Sequence, residues 1–133
     1  MNQKCILLID DDPDVRLTLR LPLEAAGYAV SEATNFSEGL NAVKQVKPDL
    51  IVLDVMMDTT TAGFQFALEL HSQDPSSEFK DFRNTPIIML TAIHTTTPLR
   101  FSPDEDYLPV QTFLEKPVDE KVLLDTVRKL LGI

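Results

Sequence analysis

An α/β doubly wound parallel sheet is the fold this sequence predicts, and three observations predict it. Strand-like apolar runs alternate with helix-like periodicities along the chain, as strands joined by crossover helices do. The run at 50–53 is apolar throughout, as a strand covered on both faces should be. Chemically active residues stand where the runs stop. Asp10-Asp11-Asp12 follow the run at 5–9, Asp54 the run at 50–53 and Thr91 the run at 87–90, and the run at 113–114 leads into Lys116-Pro117. In an open parallel sheet all strand C-termini lie on one edge, where ligands bind, so these groups are expected to converge. Carboxylates, a hydroxyl and a lysine together suit a hard divalent cation and a phosphoryl group.

Composition narrows the function classes. With 133 residues, the chain is expected to be one domain with a single well-buried core. Its 44% hydrophobic and 25% charged residues are ordinary for a globular protein. A net charge of −9 argues against direct contact with nucleic acid, which needs a basic face. The same charge fits cation binding or docking onto a basic surface. Cys5 is the sole cysteine and lies in an apolar run, so it reads as a small core side chain. No apolar run reaches the ~18 residues of a membrane span, and no signal-peptide pattern is present. The expectation is a cytoplasmic protein with no membrane partner.

The elements follow in order. The first helix is expected to begin at Asp12-Pro13, an acidic cap with proline in the first turn. Its apolar stripe is Val15, Leu19, Leu23 and Ala26, it ends at Gly27, and Pro22 should kink it. Residues 28–33 read as a short second strand. Asn35 with Glu38 three residues on resembles a capping box for a helix carrying Phe36, Leu40 and Val43, terminated at Pro48. A third helix is expected after Gly63, burying Phe66, Ala67 and Leu70. Residues 73–85 form a long polar connection. Residues 94–111 hold Pro98, Pro103 and Pro109, which exclude a full helix and leave one short turn from Ser102. The last helix starts near Asp119, shows Leu123, Val127 and Leu130 at helical spacing, and ends at the C-terminus. His71 and His94 lack ligand spacing and read as surface residues.

Four pieces, "LLIDDDPDVR", "PDLIVLDVMM", "PIIMLTA" and "FLEKPV", stand in order, each at a strand end. With them the chain resembles the receiver domain of two-component response regulators, over residues 1–133 as a single domain. That resemblance implies a flavodoxin-like strand order of 2-1-3-4-5, with a fourth helix that the prolines would make short or irregular. Asp54 matches the phospho-acceptor, whose attack on phosphorus forms an aspartyl phosphate. Taken alone, Asp54 is equally an aspartate capping a turn. Asp10 and Asp11 match the acidic pair: clustered carboxylates repel unless a cation neutralises them, and Mg²⁺ has the required preference for oxygen ligands. The resemblance implies direct ligation by Asp11 and Asp54, ligation through water by Asp10, and a further ligand from the Met56 backbone carbonyl. Asp12 and Asp14 read as a solvated helix start. Thr91 and Lys116 match the switch hydroxyl and the lysine that contact phosphoryl oxygens, and Lys116-Pro117 matches a cis bond of the family. Phe113 matches the aromatic whose rotation reports phosphorylation, or is simply core.

The chain also departs from the family pattern. Asp58 replaces a usual proline, "DTTTAG" is one residue longer than the usual loop, and the segments at 73–85 and after Thr91 are lengthened. The implied function is a stand-alone receiver in signal transduction. It would take phosphoryl from a sensor histidine kinase or a histidine phosphotransfer module and signal to an unidentified output partner by a conformational change. It would not be an enzyme beyond its own phosphorylation and dephosphorylation. A phosphorelay intermediate or phosphate sink is the first alternative. A non-phosphorylated interaction module on the same scaffold is the second.

Overall fold

In the computed structural model, residues 3–54, 60–72, 74–82, 84–91, 112–116 and 118–132 are described. The strands are β1 (Cys5–Ile9), β2 (Ala29–Ala33), β3 (Leu50–Asp54), β4 (Ile87–Thr91) and β5 (Thr112–Glu115). The helices are α1 (Pro13–Ala25), α2 (Phe36–Val46), α3 (Thr60–Leu70) and α4 (Glu120–Leu131). All strand pairings are parallel and the order is β2-β1-β3-β4-β5. Because β1 lies between β2 and β3, the chain steps to one side after β1 and to the other after β2. The crevice of such a sheet opens where that order reverses, above the C-terminal ends of β1 and β3.

Period-two alternation along the central strands divides the core into two halves. Leu7, Ile9, Ile51, Leu53, Ile87 and Met89 pack with Phe36, Val43, Phe66, Ala67 and Leu70 on the α2–α3 face. Ile6, Leu8, Leu50, Val52, Ile88 and Leu90 pack with Leu19, Leu23, Leu123 and Val127 on the α1–α4 face. β3 is buried at every position, since both faces are covered.

Helix starts follow the expected chemistry. The Asp12 carboxylate caps α1 by accepting from the Asp14 amide, with Pro13 at the first helical position. Asn35 Oδ1 accepts from the Glu38 amide at 2.8 Å. Glu38 reaches back one residue further than in the standard box, to the amide and hydroxyl of Thr34. Asp119 caps α4 through the amides of Lys121 and Val122. α2 ends at Lys47, in the left-handed region at φ 54°, just before Pro48.

Four expectations need correction. α3 does not wait for Gly63: it already includes Thr60, so the glycine is an interior residue and not a starting turn. Ala26 is exposed and caps α1 instead of extending its buried stripe. The connection after α3 is less polar in effect than in composition, because Phe79 is driven into the core and a short 3₁₀ turn, Lys80–Phe82, follows it. His71 is buried just past α3, its Nε2 2.7 Å from the Thr85 carbonyl oxygen, because the chain folds back there to enter β4. Cys5 is half-buried. The expected short turn at Ser102, His94, Met56 and the Lys116–Pro117 bond lie outside the described residues.

Candidate functional site

The C-terminal edge of the sheet gathers acidic and basic groups because each strand ends just beneath them. β1 ends at Ile9, so Asp10 is the first residue past the strand, while Asp54 closes β3 in register with Leu90. Lys116 follows β5 directly. Asp10 is 1% exposed and Asp54 4%, whereas Asp11 is exposed. One carboxylate oxygen from each of Asp10, Asp11 and Asp54 falls within 4.8 Å of the other two. The Lys116 ammonium reaches over this group, 3.0 Å from Asp54 Oδ2 and 3.4 Å from Asp10 Oδ2.

Hydrogen bonds fix Asp10 from several sides. Its amide donates to the Ala33 carbonyl at 3.1 Å, and its Oδ1 accepts from the Asp12 amide at 2.9 Å. Oδ2 is buried and makes no hydrogen bond among the described residues, although it keeps the ionic contact with Lys116. Burial pushes the Asp10 carboxyl above the usual aspartate range; the Asp12 amide opposes this, the Asp54 charge adds to it and Lys116 opposes it. For Lys116, burial works to lower the ammonium's pKa. The hydrogen bond and charge of Asp54, joined by the charge of Asp10, outweigh burial and raise it above the ordinary lysine value. Lys116 is therefore a fixed cation at neutral pH.

One ammonium against three carboxylates leaves two negative charges, which a dication would balance. All the donors are oxygens, and the orphaned Asp10 Oδ2 lacks the partner that a metal or a metal-bound water would give it. That donor chemistry fits Mg²⁺ and suits no soft metal.

Of the residues singled out from sequence, Asp10, Asp11, Asp54 and Lys116 meet at one place. Thr91 is the last residue of β4, its Cα in register with Glu115, the neighbour of Lys116. Phe113 lies in β5 opposite Met89. Arg16 and Glu32, which no sequence motif singles out, also belong beside the site. Arg16 Nη1 donates to the Asp10 carbonyl at 2.6 Å, and its Nε pairs with Glu32 at 2.7 Å. A signal for the pair existed in Arg16 and Arg20, spaced four apart on one helical face and facing an acidic residue on the neighbouring strand.

The family model of the response regulator receiver domain matches residues 6–128. PilH of Pseudomonas aeruginosa is 30% identical over 127 residues, a match spanning 96% of this chain and 97% of that protein. The transcriptional regulatory protein GlrR of Escherichia coli is 34% identical over 122 residues, 92% of this chain. The chain spans only 25% of the length of GlrR and of its counterpart QseF. Among solved structures, the chemotaxis response regulator CheY4 of Vibrio cholerae superposes with a TM-score of 0.77 at 26% identity, over 97% of this chain and 99% of that one. A putative response regulator from Chloroflexus aurantiacus gives a TM-score of 0.77 at 25% identity, over 99% and 100% of the two chains.

Proposed function

The chain belongs to the response regulator receiver family, and from that premise we propose that Asp54 accepts a phosphoryl group from phosphohistidine on a sensor histidine kinase or a histidine phosphotransfer module. The observation that carries this reading is Lys116 held between two buried carboxylates, 3.0 Å from Asp54 and 3.4 Å from Asp10. A buried carboxylate beside a fixed cation can take on a charged group without isolating its charge in the protein.

In the reaction proposed, an Asp54 oxygen attacks phosphorus, a phosphorus–oxygen bond forms and the phosphorus–nitrogen bond to the donor imidazole breaks. The leaving nitrogen keeps the electron pair of that bond and is neutralised by a proton. Lys116 stays protonated throughout and exchanges a carboxylate oxygen for a phosphoryl oxygen. Asp10, Asp11 and Asp54 would hold Mg²⁺, with the Met56 main-chain carbonyl as a further ligand. When bound, the ion offsets the charge of the transferring group. Thr91 is assigned the hydroxyl that bonds a phosphoryl oxygen, and Phe113 the aromatic whose repacking reports the change. On this reading residues 1–133 act as one receiver domain that signals through an altered surface.

Incubation with a small-molecule phosphodonor and Mg²⁺, followed by mass spectrometry of the trapped acyl phosphate, tests the assignment. Labelling is expected at Asp54, dependent on the cation and absent from Asp54→Asn. Label that survives that substitution or a chelator refutes it. A stand-alone receiver is supported by the match that spans nearly all of PilH. A second reading, the receiver part of a longer transcriptional regulator, is supported by the match to one quarter of GlrR. The complete reading frame separates the two.

A further inference from the structure

Asp11 is the least supported of the three clustered carboxylates. Asp10 is tied by the Asp12 amide and Lys116, and Asp54 by Lys116. Asp11 is exposed and is attached to the cluster through the peptide that joins it to Asp10. The oxygen of that peptide is the Asp10 carbonyl, which accepts from Arg16 Nη1 at 2.6 Å. On the other side of Asp10, its amide is fixed to the Ala33 carbonyl of β2. The turn carrying both acidic residues is therefore clamped at its entry by β2 and at its exit by Arg16.

Arg16 is itself held. Its side chain is 14% exposed, and Nε donates to Glu32 Oε1 at 2.7 Å. The second oxygen of Glu32 takes Arg20 Nη1, also at 2.7 Å, and Arg20 Nε reaches Glu24 at 3.2 Å. Alternating charges run from the acidic turn across α1 to the edge strand β2. Glu32 answers the Arg16 charge, so the guanidinium directs a donor at the carbonyl without acting as a counterion for the acidic cluster. A rigid fork with several donors serves a carboxylate and a carbonyl together from fixed directions, which a flexible point charge does not.

We propose that Arg16 is the positioning residue of the cation site, aligning the peptide from which Asp11 projects so that the metal meets a preformed ligand. This rests on the reading of Asp10, Asp11 and Asp54 as a Mg²⁺ site. Groups that orient metal ligands typically change affinity by about 10- to 100-fold when removed.

The electrostatic sign makes the proposal testable. Removing a positive charge near carboxylates tightens cation binding if charge is all that matters. Loss of alignment weakens it. Mg²⁺ is titrated by calorimetry, at fixed ionic strength, into the intact wild-type chain, Arg16→Gln and Arg16→Lys, with urea unfolding of each metal-free protein to confirm the fold. Arg16→Gln is expected to weaken Mg²⁺ binding about 10-fold or more. Arg16→Lys should also weaken it despite keeping the charge, and serves as the reading if the glutamine variant does not fold. Binding as tight as wild type, or tighter, in the folded variants overturns the inference alone. A wild-type chain that takes up no Mg²⁺ overturns the metal-site reading and the inference with it.

Discussion

Lys116 stands nearer to Asp54 than to Asp10, at 3.0 Å against 3.4 Å, and so guards the carboxylate proposed to accept phosphoryl. In the absence of metal it is the cation that makes three adjacent carboxylates tolerable. Lys116→Met should therefore destabilise the metal-free protein by about 3 kcal/mol, the low end of the cost of stripping one partner from a buried pair. Saturating Mg²⁺ should recover most of that loss and should bind more tightly than in wild type, because a competing cation has gone. Phosphorylation should slow. Urea unfolding with and without Mg²⁺ measures the first two effects; a variant as stable as wild type in chelator would contradict them.

Asp11 separates metal binding from folding. Being exposed, it contributes repulsion to the cluster and little packing. Asp11→Ala is expected to leave the metal-free stability unchanged or slightly higher. Wild type at a Mg²⁺ concentration of about 100 times Kd should gain about 2.7 kcal/mol, and the variant should lose this response. Thermal melts across a Mg²⁺ series check it, and an equal response in the variant would place the cation elsewhere.

The site was legible because its residues lie at strand ends, where one-dimensional position already implies spatial position. Asp10 and Asp54 stand at the ends of their apolar runs and Lys116 directly follows β5, so the parallel sheet had no freedom to separate them. Arg16 lies in the first turn of α1 and Glu32 within β2, where a charged residue most often faces water, and only the packing of α1 beside β2 brings them to the acidic turn. A related reason applies to His71, expected at the surface, and to the connection at 73–85, expected to be polar: the chain's return to β4 draws His71 and Phe79 inward. Gly63 was read as punctuation, but a glycine within a strong helical pattern stops a helix only where the chain must turn.

Asp10 and Glu32 give the metal-free protein opposite responses to acid. Burial raises Asp10, so its contribution to stability is fully present below its unfolded pKa and is lost as pH rises through its higher folded value. Glu32 is pulled upward by burial, but the hydrogen bonds of Arg20 and Arg16 outweigh this and hold it below the ordinary glutamate value. Its contribution is present above its unfolded pKa and is lost as pH falls through the lower folded value. On acidification in chelator, wild type should first gain stability relative to Asp10→Asn. Its advantage over Glu32→Gln should then shrink below the ordinary carboxylate range. Saturating Mg²⁺ should abolish the Asp10 gain, since the ion keeps that carboxylate ionised. Stability curves of Asp10→Asn and wild type that run parallel in chelator would show the Asp10 shift to be absent.

Gly39 sets the distance between α2 and the strand that carries the acidic turn. A Cβ at this position would stand 2.6 Å from Ile9 Cδ1, 3.2 Å from Phe66 Cε2 and 3.3 Å from Ile9 Cγ1. Alanine in a helix interior gains up to about 1 kcal/mol over glycine, while overpacking a buried contact costs about 1–3 kcal/mol. Gly39→Ala should therefore come out about 1 kcal/mol less stable. Ile9→Val removes the colliding methyl, and alone should cost about 1 kcal/mol. Combined with Gly39→Ala it should cost little or nothing, giving a favourable coupling of about 2 kcal/mol between touching residues. Because Ile9 directly precedes Asp10, Gly39→Ala should also loosen Mg²⁺ binding, and the double variant should restore it. Urea unfolding and Mg²⁺ titration of the four proteins measure both effects; additive single and double variants would mean that α2 yields instead of β1.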